Sequence, residues 1–128
     1  MYYITDTHSF LWYLMDSPRL SQKVRAIFNL VDQGKATLII PAIVVLECID
    51  ILDKKKIGFD FEEIIFKIHQ ASNFILSEIN WSIILEVNRI KGFKDLHDRL
   101  IVATTRIFEG TLISKDKEIK KIYKDTIW

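Results

Sequence analysis

Ala36-Thr37-Leu38-Ile39-Ile40-Pro41 decides the fold. Five uncharged residues, ending in three consecutive long aliphatics, are too apolar for a strand with one wet face. Such a run marks a strand covered on both faces, which is the condition of strands in a parallel sheet. Pro41 stands where the strand hands over to a helix, because its missing N–H costs nothing in a helix's first turn. The helix that follows, to about Lys54, is apolar almost all round, interrupted by Glu47 and Asp50.

The same alternation continues outward in both directions. Tyr2–Thr5 reads as a strand beginning almost at the first residue, expected to be central, and Asp6 ends it. A short helix over His8–Met15 closes at Asp16-Ser17-Pro18. A second helix over Ser21–Gln33 places Val24, Ile27, Phe28 and Val31 on one face and stops at Gly34. Downstream, Phe61, Ile64, Ile65 and Ile68 predict a helix, Asn73–Leu76 a strand, and Trp81–Arg89 a helix. A helix from Asp95 to Gly110, a strand over Thr111–Ser114, a lysine-rich helix to about Lys124 and an edge strand over Thr126–Trp128 complete the chain. Strands alternate with helices and no tight hairpin signal is present. The expected architecture is an α/β/α sandwich of three layers around a central, mainly parallel sheet. A length of 128 residues suits one domain spanning 1–128.

Composition narrows the function. An apolar content of 49% excludes a disordered chain, and a net charge of +1 means that nucleic-acid binding needs a local basic patch. Cys48 alone leaves no internal disulfide and fits a reducing compartment. The longest apolar run, Leu38–Leu46, is too short for a membrane span, and no secretory leader pattern opens the chain. A soluble cytoplasmic protein is expected.

Charge gathers in Lys94-Asp95-Leu96-His97-Asp98-Arg99-Leu100-Ile101-Val102-Ala103-Thr104-Thr105, at the mouth of an otherwise apolar helix. Asp95 is a good N-cap and Asp98 falls in the first turn, which by itself requires no function. Asp6 and Asp116, however, directly follow the first and fourth strands, at the sheet edge where parallel sheets bind ligands. A helix feeding a parallel strand starts at that same edge, so Asp98 is expected there too. Glu47 lies roughly 9 Å along its helix from Pro41 and arrives only if that helix crosses the sheet obliquely. Among Ile43, Val44 and Ile51 its carboxylate needs a partner, either a lysine or arginine or a metal. Carboxylates converging on one point repel, and a hard divalent cation, Mg²⁺ or Mn²⁺, resolves the repulsion. No cysteine joins the set and the histidines lack zinc spacing. The chemistry implied is phosphoester hydrolysis by a metal-bound water.

Four segments carry a resemblance: Ile4-Thr5-Asp6-Thr7-His8, Pro41 to Glu47, Asp95-Leu96-His97-Asp98-Arg99-Leu100-Ile101-Val102-Ala103, and Leu112-Ile113-Ser114-Lys115-Asp116. Together they resemble the PIN-domain family, specifically the VapC-like ribonucleases of toxin–antitoxin pairs. The resemblance implies a Mg²⁺- or Mn²⁺-dependent endoribonuclease with Asp6, Glu47, Asp98 and Asp116 as its acidic quartet. Asp6 and Asp98 would hold metal most directly; Glu47 and Asp116 would complete the site. Ser114 matches a small hydroxyl near the metal, or is a strand-end cap. Arg99 pairs with a carboxylate or contacts substrate phosphate, and Leu96 replaces a frequent proline. Lys91, Lys94, Lys115, Lys117, Lys120 and Lys121 are candidates for a basic RNA surface, or ordinary solvated lysines, as is the run Lys54-Lys55-Lys56. His8 and His97 are read as packing or hydrogen-bonding residues. The implied partners are RNA, a cognate antitoxin covering the site, and a second copy of the chain in a homodimer. Phe10, Trp12 and Tyr13 are candidate antitoxin contacts, or core.

Two enzyme alternatives fit less well. A haloacid-dehalogenase-like phosphatase wants a second Asp two residues after the first, where this chain has His8. An HD phosphohydrolase is all-helical. A PIN fold acting mainly as a protein-binding module is a third reading, weakened by the presence of all four acids.

Overall fold

Strands form where the apolar runs predict them, and all pair in parallel. In the computed structural model, which describes residues 1–55, 57–92 and 95–128, β1 (Tyr2–Thr5), β2 (Thr37–Pro41), β3 (Phe74–Ser77), β4 (Thr111–Ile113) and β5 (Thr126–Ile127) make one sheet. Its order is β3-β2-β1-β4-β5. Seven helices are seen among the described residues: α1 (Thr7–Leu14), α2 (Gln22–Asp32), α3 (Ala42–Lys55), α4 (Phe61–Gln70), α5 (Trp81–Arg89), α6 (Leu96–Phe108) and α7 (Lys117–Ile122). This is the expected α/β/α sandwich, with β1 central. Lys56 of the lysine run and Lys94 of the candidate basic surface lie outside the described residues.

The order of strands matters for function. From β1 the chain steps to β2 and β3 on one side, then jumps back across the sheet to β4 and β5 on the other. Parallel crossovers are almost always right-handed, so reversing the direction of travel moves the helices to the opposite face. Where the direction reverses, between β1 and β4, the connections leave in opposite senses and a crevice opens at the carboxyl ends of the strands.

The core confirms strands buried on both faces. Ile4 registers against Ile39 on one side and Leu112 on the other, and all three are fully buried. Each such aliphatic contributes about 1.5–3 kcal/mol. The face of α2 carrying Val24, Ile27, Phe28 and Val31 is buried as its spacing predicts. Of the two readings offered above for Phe10 and Tyr13, antitoxin contact or core, the second holds: both are core residues. Tyr13 stacks on Phe28 with ring centroids 4.2 Å apart, and its hydroxyl donates to the Asp32 carboxylate. Burial, with Asp32 beside it, pushes the Tyr13 phenol up. Burial, with Glu47 nearby, likewise pushes the Cys48 thiol up to about 12, leaving it inert. Among the described residues, no helix is long and apolar enough to cross a membrane.

Candidate active site

Two of the four acids reach the crevice because they end a strand and begin a helix. Asp6 follows β1 and caps α1: its Oδ1 accepts the Ser9 N–H at 3.0 Å, while its own N–H donates to Ile113 O at 3.2 Å. Asp116, just beyond β4, caps α7, its Oδ1 accepting from Glu118 N at 2.8 Å and Ile119 N at 3.4 Å. An Asp at such a junction satisfies orphan helix N–H groups and is held at the sheet edge by the same bonds. Ser114 lies between them. It is buried, its Oγ accepts the Asp116 N–H at 3.1 Å, and its hydroxyl lies near enough to Asp6 to lower that carboxyl's pKa. The strand-end cap expected of Ser114 is thus present. Burial raises the pKa of Asp6, and the bonds from Ser114 and Ser9 pull it back down.

Asp98 arrives on the first turn of α6, whose N-cap is Asp95, accepting from His97 N at 2.8 Å and Asp98 N at 3.3 Å. Burial, followed by the charges of Asp95, Asp116, Glu47 and Asp6, pushes the Asp98 carboxyl up to about 6. Glu47 reaches the same place. Among the described residues its partners are not a lysine or arginine: Thr7 Oγ1 donates to Oε1 at 2.6 Å, and His97 Nδ1 donates to Oε2 at 3.2 Å.

Asp6, Glu47, Asp98 and Asp116 line one cavity of about 610 Å³, with Asp95 at its edge. Among the described residues its other charged lining residues are Arg19, Lys55 and Lys115. Lys55 belongs to the lysine run, so at least that lysine faces the acids. Lys117 and Lys120 line an adjoining hollow with Trp128, whereas Lys121 pairs with Glu118 at 3.0 Å and Lys91 is simply exposed. Arg99 meets neither expectation. Its guanidinium is turned onto α5, donating to Val87 O at 2.8 Å with Nε buried and unpartnered, and it does not line the cavity. His8 is exposed and leans on Trp12, with ring centroids 5.7 Å apart.

Thr7 and Arg19 went unremarked as site residues in the sequence; Lys55 stood only as part of the lysine run, and His97 was read only as a support. Thr7 carried one signal, a hydroxyl directly after a strand-ending acid. Arg19 carried none and Lys55 only the lysine run it belongs to, since their approach depends on how α1 and α3 lie together.

The donor set suits a hard cation. Among the described residues no three acidic or histidine side chains stand close enough to form a ready-made metal cage. The carboxylates ring an open cavity instead, all oxygen donors and mutually repelling, as the crowding of Asp98 records. That arrangement fits an ion such as Mg²⁺, which keeps part of its water shell and takes only a few protein oxygens.

A family model for the PIN domain matches residues 3–125. The chain belongs to the PIN-domain family, whose members are nucleases. No curated protein sequence matches it. Among solved structures it is similar to VapBC2 from Rickettsia felis bound to a DNA fragment from their promoter, with a TM-score of 0.68 and 16% identity over 99% of this chain and 96% of that one. A toxin–antitoxin complex from Klebsiella pneumoniae gives a TM-score of 0.65 at 15% identity, covering 98% and 95%. VapBC-1 from nontypeable Haemophilus influenzae gives 0.61 at 20%, covering 100% and 96%. At such identities these likenesses speak for the fold, and that fold with its family leaves the phosphatase readings without support.

Proposed function

We propose that this chain is a Mg²⁺- or Mn²⁺-dependent endoribonuclease, the toxin of a toxin–antitoxin pair, with 1–128 as its one nuclease domain. The observation that carries the reading is the convergence of Asp6, Glu47, Asp98 and Asp116, from four separate elements, on one cavity at the switch point of the sheet. Asp6 and Asp98 would hold the ion; Glu47 and Asp116 would complete its surroundings. When bound, the ion supplies a water of lowered pKa and offsets charge developing on the phosphate. Arg19, Lys55 and Lys115, lining the same cavity, offer cations to the phosphates on either side of the bond that breaks. Ser114 keeps Asp6 and Asp116 in register with each other.

The antitoxin reading is supported by a neighbouring hollow of about 410 Å³ between α1 and the end of α3, lined by Leu11, Trp12, Met15 and Ile51. It shares His8, Trp12, Arg19 and Lys55 with the acidic cavity, so a chain seated there would block the site. A homodimer is supported by apolar residues left exposed on and beside α5: Ile79, Trp81, Ile84 and Leu85.

The test is cleavage of single-stranded RNA by the purified chain. Activity is expected with Mg²⁺ or Mn²⁺, none with chelator, and a loss of about 10²–10³-fold in Asp6→Asn and Asp98→Asn, the scale of losing one well-placed stabiliser of transition-state charge. Cleavage that persists in chelator, or in both variants, would overturn the mechanism.

A further inference from the structure

We infer that His97 and Thr7 are positioning residues that clamp Glu47 into the acidic site and so set its affinity for the divalent cation. The inference rests on the metal-site reading proposed above. A carboxylate has two oxygens, and here each is taken by a separate donor: Oε1 by Thr7 Oγ1 at 2.6 Å, Oε2 by His97 Nδ1 at 3.2 Å. Thr7 is the chain neighbour of Asp6, and His97 is the chain neighbour of Asp98. Glu47, alone on α3, is therefore strapped to the two residues beside the acids that would hold the ion. Three acids from three elements become one unit.

Without the clamp Glu47 has reason to leave. It carries a like charge to the surrounding Asp6, Asp98 and Asp116, it has three rotatable side-chain bonds, and its side chain is 29% exposed, so a path to solvent is open. Thr7 is buried and holds one oxygen from the interior. His97 is 53% exposed and closes the outer side. A pair so exposed does little for the fold. Its effect falls on where the carboxylate stands, and outer partners that orient a ligand typically govern metal affinity by about 10–100-fold.

The test is Mn²⁺ titration calorimetry on the full chain, with thermal unfolding of each variant alongside. His97→Phe, which keeps the ring and loses the donor, is expected to weaken Mn²⁺ binding about 10-fold. Thr7→Val should weaken it similarly. His97→Asn, whose side-chain N–H₂ stands where Nδ1 does, should bind within about 2-fold of the parent, a residual well below that 10-fold loss. In a Glu47→Gln background His97→Phe should add nothing, because the two act through one carboxylate. If His97→Phe binds Mn²⁺ like the parent while Asp6→Asn abolishes binding, the clamp is refuted and the metal site stands. A loss that Asn fails to restore, or that persists in the Glu47→Gln background, also refutes it. A parent chain that binds no Mn²⁺, or an Asp6→Asn variant that binds as well as the parent, refutes both.

Discussion

Asp98 shares its corner with four other carboxylates, and that crowding fixes how it titrates. Burial first, and then its acidic neighbours, raise the carboxyl from 3.8 to about 6. In the metal-free chain the native state holds this proton where the unfolded state has lost it. The group's contribution to stability is therefore greatest below about 3.8, falls as pH rises through about 6, and is level above. Asp98→Asn should raise the melting temperature at pH 7 in chelator, by about 3–5 °C for each ~1 kcal/mol relieved, with the gain fading below about pH 5. Equal melting of parent and variant at pH 7 would contradict the crowding. Mn²⁺ binding should run the other way: affinity rises as pH climbs through about 6, since the ion takes the place of the proton. At this scale the sequence spoke unevenly. Asp6, Asp98 and Asp116 were legible because strand ends and helix starts alone carry them to the edge. Glu47 was less so, since its arrival depends on the lie of α3. Phe10 and Tyr13 stood open between antitoxin contact and core because spacing does not say which way a side chain on a short, mostly apolar helix turns; Arg99 was expected at a carboxylate or a phosphate, and its turn onto α5 depends on how α6 packs there.

Helix starts and stops set the geometry at the next scale. Asp116 both caps α7 and lines the site, so two substitutions separate its roles. Asparagine caps almost as well as aspartate. Asp116→Asn should lose activity with stability kept, whereas Asp116→Ala should lose activity and also about 1 kcal/mol of stability by urea denaturation. The far end of α6 is as tightly specified. Glu109 adopts the left-handed conformation at φ 52°, and Gly110 N donates back to Thr105 O at 3.2 Å. Gly110 then passes so close to β1 that a Cβ would stand 2.8 Å from Tyr2 O and 2.4 Å from Ile4 Cδ1. A backbone oxygen in the central strand cannot move aside. Gly110→Ala should therefore cost about 1–3 kcal/mol, read as a lowered urea midpoint with unchanged slope. Element types followed from pattern throughout, while boundaries moved by a residue or two, as at Thr37–Pro41, because terminal hydrogen bonds rather than polarity decide them. The strand at Phe74–Ser77 was the faintest, and it shows why: two of its residues, Ile75 and Leu76, lie exposed at the sheet edge.

At the scale of the whole molecule, parallel pairing with one reversal of direction accounts for both the crevice and the open flank. The flank carries Ile79, Ile84, Leu85 and a Trp81 that is 76% exposed, apolar side chains of the kind that mark an interaction surface when they stand together. The parent chain should run as a dimer by light scattering, and Trp81→Asp with Leu85→Glu as a monomer of unchanged secondary structure. A monomeric parent would contradict that assignment. The crevice between β1 and β4 is where the divalent cation is proposed to bind. The most direct measurement is anomalous diffraction from crystals of the chain soaked in Mn²⁺. A manganese peak is expected in the acidic cavity against Asp6 and Asp98, absent in Asp98→Asn crystals. A cavity that stays free of manganese at saturating Mn²⁺, or a peak bound away from both residues, would contradict it.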